Sequence, residues 1–216
     1  MARVPRSTYH HGNLRQALLD AGRQELRGHG AAGLSLRRVA RVTGVSQAAP
    51  YRHFDDRNAL LAALAAEGFL ELHHRFIADD RSEDPPRCRL ERLGRTYVRF
   101  ALDEPALFQL MFSAELDELQ ARDDTLRSAG EQLYGALQDA VRGLVPDPEQ
   151  FRVGCASAWS IVHGMALLLL HGRLPADRSC REQLVDAVTA QFALGLERIA
   201  ADACHGSVAG DGGRRR

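Results

Sequence analysis

Lysine is absent from this chain of 216 residues, and all 28 of its basic residues are arginines. Aromatic residues are scarce as well, at 6%, and no stretch of useful length alternates apolar and polar residues as a half-buried strand does. The scarcity of aromatic residues and the lack of alternating stretches both argue against a sheet-based fold. Alanine and leucine recur throughout, and 45% of the residues are hydrophobic, so the composition predicts an all-α protein that can bury a core.

The chain also has little that could carry catalysis or hold a metal. Its four cysteines include no pair at C-x-x-C spacing, and none combines with a histidine in a zinc-binding pattern. There is no G-x-S-x-G motif and no P-loop. The adjacent pairs His10-His11 and His73-His74 do not share a helix face. We therefore expect no enzyme activity, no cofactor and no metal site.

Signals for export or membrane insertion are weak. The first twelve residues contain no apolar segment of the kind that a signal peptide needs. Residues 153–170 carry no formal charge, and their length is near the lower limit for a membrane-spanning helix. Because His163, two serines and two glycines lie within this stretch, a helix buried in a core or a dimer interface explains it better. We expect a cytoplasmic protein with reduced cysteines and no membrane segment.

Charge is unevenly distributed, although the formal net charge is zero. Residues 1–60 contain ten arginines and four acidic residues, which gives +6, and the remainder carries the opposite charge. This asymmetry is typical of a chain whose N-terminal part meets a polyanion such as nucleic acid. A solvated helical surface can reach the same charge, so this observation alone leaves both interpretations open.

Apolar residues at helical spacing, together with residues that end helices, predict about nine helices. The first begins near Asn13 and ends at Gly28 and Gly30. A polar segment at residues 78–86 is the clearest interruption in the chain. Beyond the helix-turn-helix described next, helices are predicted around residues 57–77, 90–100, 105–112, 126–144, 150–172 and 181–201.

The spacing of capping residues between positions 35 and 54 predicts a helix-turn-helix. Ser35 is suited to cap a short helix that Gly44 would end, and Ser46 is suited to cap a second helix that runs to about His53. In this geometry the second helix presents its N-terminal residues to the edges of DNA bases. The pair would pack onto the first helix through Val39, Ala40, Val45 and Phe54.

Residues 35–61, SLRRVARVTGVSQAAPYRHFDDRNALL, resemble the N-terminal DNA-binding domain of the tetracycline-repressor (TetR) family. The family's pattern falls on Ser35, on Val39-Ala40, on residues 43–46, on residues 51–54 and on Arg57. Two positions depart from it. Arg57 stands where lysine is usual, and residues 48–50 are Ala-Ala-Pro where Gly-x-Leu is usual. Pro50 cannot donate a backbone hydrogen bond, but it falls in the first turn of the expected helix.

The resemblance implies a role for each polar side chain of this segment. Ser35 would present the free N–H groups of its helix to a phosphate. Gln47 and Ala48 would face base edges, while Tyr51 and His53 would bind phosphates and fix the register. The complete expected DNA-contacting set is Ser35, Arg37, Ser46, Gln47, Ala48, Tyr51, His53 and Arg57. Two alternatives stay open, since Tyr51 could pack half-buried and His53 could bond to its neighbours.

A second resemblance lies in the C-terminal half, where Trp159-Ser-Ile-Val-His163-Gly164 is similar to the Trp-x-x-x-His-Gly signature of a TetR subgroup. The resemblance implies a homodimer through the helices near residues 150–172 and 181–201. It also implies a pocket for a hydrophobic or amphipathic effector. The candidate pocket residues are Tyr97, Phe100, Phe108, Met111, Phe112, Tyr134, Trp159 and His163. A stripe of aromatic residues and methionine is, however, more often plain core.

These inferences predict a ligand-responsive homodimeric repressor that binds a palindromic DNA operator. The expected organisation is a disordered basic arm (residues 1–12), whose Arg3 and Arg6 could enter a minor groove, a DNA-binding domain (13–60), an effector and dimerisation domain (61–203) and a disordered tail (204–216). The alternative is a helical ligand-binding or interaction module without specific DNA binding, for which Pro50 and the modest charge argue. An enzyme of unknown class is the third interpretation.

Overall fold

A computed structural model describes residues 11–81, 83–174 and 177–208 of the chain. These residues form nine α-helices, one short 3₁₀ helix and no strand, which confirms the all-α prediction. The helices are α1 (His11–Gly33), α2 (Leu36–Thr43), the 3₁₀ helix (Pro50–Arg52), α3 (Arg57–Asp79), α4 (Pro86–Asp103), α5 (Pro105–Met111), α6 (Ala114–Gln120), α7 (Asp124–Arg142), α8 (Pro148–Leu170) and α9 (Arg178–Val208).

The helices group into two compact units. The first unit contains the chain up to Gly68 together with Ala106–Ala129. Its core is made of leucines that α1 and α3 bury against each other, and Gly30, at a left-handed φ of 65°, breaks the helical geometry of α1 as predicted. Gly68 of α3 allows α5 to approach, because a Cβ atom there would lie 2.7 Å from the sulfur of Met111. As a result α5 and α6 belong with the N-terminal helices.

The second unit contains Phe69–Pro105 and the chain from Gly130 onward. Its centre is the crossing of α4 with α8 and α9, where Gly94 keeps the helices close. A Cβ atom at Gly94 would lie 2.9 Å from Cγ2 of Thr189 and 3.2 Å from Cγ1 of Val162. Helix α8 is long and apolar enough to cross a membrane by length and composition, and 39% of its most apolar window is buried inside the protein.

The sequence prediction misses α6 and places the end of α9 too early. Helix α6 was not predicted because Leu116 is its one fully buried residue, so it has no apolar repeat; Glu115 and Asp117 in its first turn favour it instead. Helix α9 continues past residue 201 to Val208, where alanines favour helix, so residues 204–208 of the expected tail are helical. Residues 1–10 and 209–216, with Arg3 and Arg6, lie outside the described residues.

Candidate nucleic-acid interface

The two ends of α2 have the geometry that the sequence predicted. Ser35 has an extended backbone (φ −149°, ψ 145°), and its Oγ accepts a hydrogen bond from the backbone N–H of Arg38 at 3.3 Å. Gly44 adopts a left-handed conformation with φ 72°, and its N–H returns to the carbonyls of Ala40 and Arg41. The chain therefore leaves α2 in a tight turn at a fixed angle.

The second helix of the motif differs in type from the prediction. Residues 46–49 form turns, and the helical geometry that follows is a 3₁₀ helix, Pro50–Arg52, so the expected α-helix from Ser46 to His53 is wrong. The reason is Pro50, which has no N–H to donate to the Ser46 carbonyl. That carbonyl accepts from Ala49 at 3.0 Å instead, and Arg52 donates to Ala49 at 3.2 Å.

Apolar packing holds the motif in place as predicted. Val39, Ala40 and Phe54 are buried, and Val45 is half-buried. Pro50 is buried as well, so the residue that changes the helix type also anchors it. Residues 46–48, Tyr51 and Arg52 are exposed on either side of the buried Pro50, and Arg37 on α2 is exposed as well. Tyr51 keeps 50% of its surface exposed, which argues against a purely packing role.

Arg57, at the start of α3, is engaged inside the first unit. Its Nη2 donates to the carbonyl of Ala31 at 2.7 Å, and its Nη1 donates to Oε1 of Glu115 on α6 at 2.6 Å. The side chain keeps 33% of its surface exposed. The guanidinium therefore ties the segment after the Gly30 break to α3 and α6, and a phosphate that binds it meets Glu115 as a competitor.

The pocket residues predicted from the sequence are divided between the two units. In the first unit, the buried Phe108 and Met111 lie on α5, and the rings of Phe108 and Phe112 are 5.0 Å apart. In the second unit, Phe100 is fully buried, and the guanidinium of Arg75 lies 5.1 Å from the centre of its ring.

Three of the predicted pocket residues, Tyr97, Trp159 and His163, meet in the second unit. We call them the aromatic trio. The Tyr97 hydroxyl shares a hydrogen bond of 2.8 Å with Nδ1 of His163 and accepts one from the indole N–H of Trp159 at 3.3 Å. Trp159 and His163 lie one turn apart on α8, which brings both to the same side of the helix. The ring of Tyr134 lies 5.8 Å from that of Trp159.

Burial changes the pKa values of Tyr97 and His163 in the directions that favour their neutral forms. It raises the pKa of the Tyr97 hydroxyl, and the hydrogen bond from Trp159 only partly offsets that rise. Burial also lowers the pKa of His163 below its ordinary value. A neutral imidazole can donate or accept at Nδ1 according to its tautomer, so the hydrogen bond to Tyr97 and the lowered pKa both fit an uncharged ring.

The outer face of α8 and α9 is apolar. Val153 on α8 is 63% exposed and Ile199 on α9 is 60% exposed, and both line a groove of about 430 Å³ between the two helices. Exposed apolar side chains on neighbouring helices are typical of a surface that another subunit covers. Among the described residues, no group of three or more histidine, cysteine, aspartate or glutamate side chains is arranged to hold a metal ion.

A capped helix-turn-helix with exposed side chains after its turn, in a chain that also contains a second helical unit, is typical of helix-turn-helix regulators. Residues 18–64 match the bacterial regulatory proteins of the tetR family, and residues 90–192 match the tetracyclin repressor-like C-terminal domain. Together the two matches cover more than half of the chain, which therefore belongs to the TetR family. Members of this family are DNA-binding transcriptional regulators, not enzymes, and they bind effector ligands and form homodimers.

Individual relatives agree with this assignment. The HTH-type transcriptional regulator Rv1816 of Mycobacterium tuberculosis is 29% identical over 126 residues, which are 57% of this chain and 54% of that protein. The HTH-type transcriptional repressor AcnR of Corynebacterium efficiens is 40% identical over 91 residues, 37% and 48% of the two chains. This chain thus spans about half the length of these curated relatives. A solved protein of unknown function from Rhodococcus sp. RHA1 is 33% identical with a TM-score of 0.72, covering 89% of this chain and 100% of that one.

Proposed function

We propose that this chain is a cytoplasmic, ligand-responsive transcriptional repressor that binds a palindromic operator as a homodimer. The observation that carries the proposal is the exposure of residues 46–48, Tyr51 and Arg52 around the buried Pro50, in the segment that follows a capped helix. The family of the chain supports DNA binding, and the similarity to a transcriptional repressor of Corynebacterium supports repression over activation. The basic N-terminal quarter adds the attraction that a polyanion needs.

Contacts with DNA divide into two kinds in this proposal. Gln47 and Ala48, both exposed ahead of the buried Pro50, read base edges, and Ala48 offers only an apolar contact such as one to a thymine methyl group. Tyr51, His53 and Arg57 bind phosphates and carry no sequence information. The other three residues of the expected set also contact the sugar–phosphate backbone of DNA in this proposal; they are Ser35, Arg37 and Ser46.

Dimerisation and ligand response belong to the second unit in this proposal. The exposed apolar faces of α8 and α9 from two chains form a four-helix interface. In such a dimer the two helix-turn-helix motifs, each of which we call a reading head, meet DNA half-sites about 34–36 Å apart or a multiple of that distance. Membership of the subgroup with the Trp-x-x-x-His-Gly signature is part of this proposal, and the side-by-side position of Trp159 and His163 in the aromatic trio supports it. Its rings, with the other large apolar side chains, suit an amphipathic effector.

The salt dependence of DNA binding tests the proposal. Footprinting of the region upstream of the chain's own gene should reveal a protected palindrome. Affinity for that duplex should fall by about a thousandfold between 50 and 200 mM salt if about six phosphates are contacted. Arg37→Ala should make this dependence shallower, whereas Arg142→Ala, which removes an exposed arginine from the second unit, should not.

Two results would count against the proposal. One is the absence of any protected site in the genome, and the other is a flat salt response. A flat response would favour the alternative interpretation, a helical ligand-binding module that has lost DNA binding.

A further inference from the structure

A cleft of about 330 Å³ lies within the second unit, between α4, α7 and the C-terminal part of α3. None of the side chains that the sequence marked as pocket candidates lines it. Its volume is at the lower end of the range of about 300–1,000 Å³ that small-molecule sites occupy. We call it the α3–α4–α7 cleft.

Small residues on α7 create the space. Gly135, Ala136 and Ala140 face the cleft, and a Cβ atom added at Gly135 would meet nothing within 4 Å. On the opposite sides, the buried ring of Phe76 and the partly buried side chain of Leu93 supply apolar surface. An apolar body can therefore lie in the cleft without displacing any part of α7.

Both cations of the cleft are already paired. Arg89 donates from Nε and Nη2 to the two carboxylate oxygens of Asp80, each at 2.9 Å. Arg92 forms an ion pair with Asp84. Such pairs leave little positive charge for a ligand.

One carboxylate of the cleft lacks a cation. Asp79 accepts a hydrogen bond from the Thr96 hydroxyl at 2.5 Å, and no described residue forms an ion pair with it. A third carboxylate, Asp139, also lines the cleft and is paired with Arg142 outside it. The balance of charge in the cleft is therefore negative, and the open position is at Asp79.

We propose that the α3–α4–α7 cleft binds a lipophilic amine, with the apolar body against Phe76 and Leu93 and the protonated amine at Asp79. The inference goes beyond the proposed function, because none of the residues assigned there to the effector lines this cleft. A carboxylate is the competing ligand, since Nε of Arg92 is buried without a hydrogen-bond partner among the described residues.

Calorimetry with three probes of one carbon skeleton tests the proposal on the full chain. The probes are 4-phenylbutylamine, 4-phenylbutanol and 4-phenylbutyrate. The amine should bind about fivefold more tightly than the alcohol, as a partly exposed charge pair provides. Asp79→Asn should remove this preference, and Asp117→Asn, an exposed aspartate of the first unit, should preserve it.

A cavity-filling variant completes the test. A Cβ atom at Gly135 would meet nothing within 4 Å, and Gly135 faces the cleft, so Gly135→Leu should fold with its side chain in the cleft and weaken all three probes together. The proposal is overturned if no probe binds at millimolar concentration, if the butyrate binds most tightly, or if Gly135→Leu leaves the amine unaffected. Because no DNA is present, these outcomes are independent of whether the chain is a repressor.

Discussion

Two tyrosines, one in each unit, show how differently the molecule uses the same side chain. Tyr51 follows the first residue of the 3₁₀ helix and keeps half of its surface exposed, whereas Tyr97 on α4 keeps 4%. The Tyr97 hydroxyl is committed to His163 and Trp159. A partner can thus reach the first hydroxyl, while the second is part of the fold. Substitutions at the two sites should separate binding from stability.

The largest effect should come from Tyr51→Ala. Losing a hydrogen bond to a charged phosphate costs about 1.5 kcal/mol, so affinity for the operator should fall about tenfold. The fall should be the same for every operator sequence, because phosphate contacts carry no base preference. Fluorescence anisotropy against a panel of single-base operator variants measures both quantities.

Gln47→Ala is the comparison for this prediction. It should change the ranking of the operator variants, since Gln47 is the one exposed side chain expected to form hydrogen bonds with base edges. Thermal unfolding of both variants should match the parent protein. If both lost affinity with the same base-by-base profile, the division between phosphate and base contacts would be wrong.

A smaller effect, on stability, is expected for Tyr97→Phe. The substitution leaves Nδ1 of His163 and the indole N–H of Trp159 without the hydroxyl that joins them, which should lower the free energy of unfolding by about 1 kcal/mol. Urea unfolding measures the change, and Tyr134→Phe, at a tyrosine that is 39% exposed, is the control. Equal losses in the two variants would mean that the trio contributes nothing beyond ordinary packing.

Much of the helix-turn-helix at residues 35–54 could be predicted from the sequence, because its turns and caps depend on residues close together in the chain. Ser35 and Gly44 act on backbone groups within a few residues of themselves, so their roles follow from residue type and spacing. The 3₁₀ geometry is local too, and the missing N–H of Pro50 was the available signal. We expected that proline to be harmless in a first turn, but the turn that it removes is the one that Ser46 would have begun.

Other features depend on residues far apart in the sequence. The partners of Arg57 lie 26 and 58 residues away, and neither Ala31 nor Glu115 has a motif that marks it. The α3–α4–α7 cleft exists because side chains such as that of Gly135 are small where three helices meet. A missing side chain leaves no pattern that a sequence could reveal, whereas the helix periods that built the all-α prediction repeat many times.

The aromatic trio should also give stability a dependence on pH. Burial lowers the pKa of His163 below its ordinary value of 6.5, so the unfolded chain binds protons that the folded chain excludes. Above about pH 7 the imidazole is neutral in both states and the contribution is complete; as the pH falls below that region, stability is lost. Unfolding measured from about pH 7.5 to 5.5 should lose less stability in His163→Gln than in the parent protein.

His73 bears on the same measurement, because burial and the neighbouring His74 lower its pKa as well. His73→Gln should therefore flatten the pH dependence in the same direction, and the double variant should flatten it most. A parent protein whose stability is constant over this range would contradict the assignment of both groups. DNA is left out of this experiment, so that the stability of the chain alone is measured.

The smallest predicted effect concerns Glu115, the ion-pair partner of Arg57. Arg57 is both bonded within the fold and expected to contact DNA. Arg57 is expected to bind phosphate, yet its Nη1 donates to Glu115 within the first unit. A partly exposed pair of this kind is worth about 0.5 kcal/mol, so Glu115→Gln should raise DNA affinity about two- to threefold. Asp117→Asn removes the same charge from the same helix without touching this pair, and it should have less effect. Since salt screens a surface pair, the difference between the two variants should shrink as salt rises. Equal gains at every salt concentration would mean that α6 acts on DNA through its overall charge, and that Arg57 is bound by Glu115 without competition from phosphate.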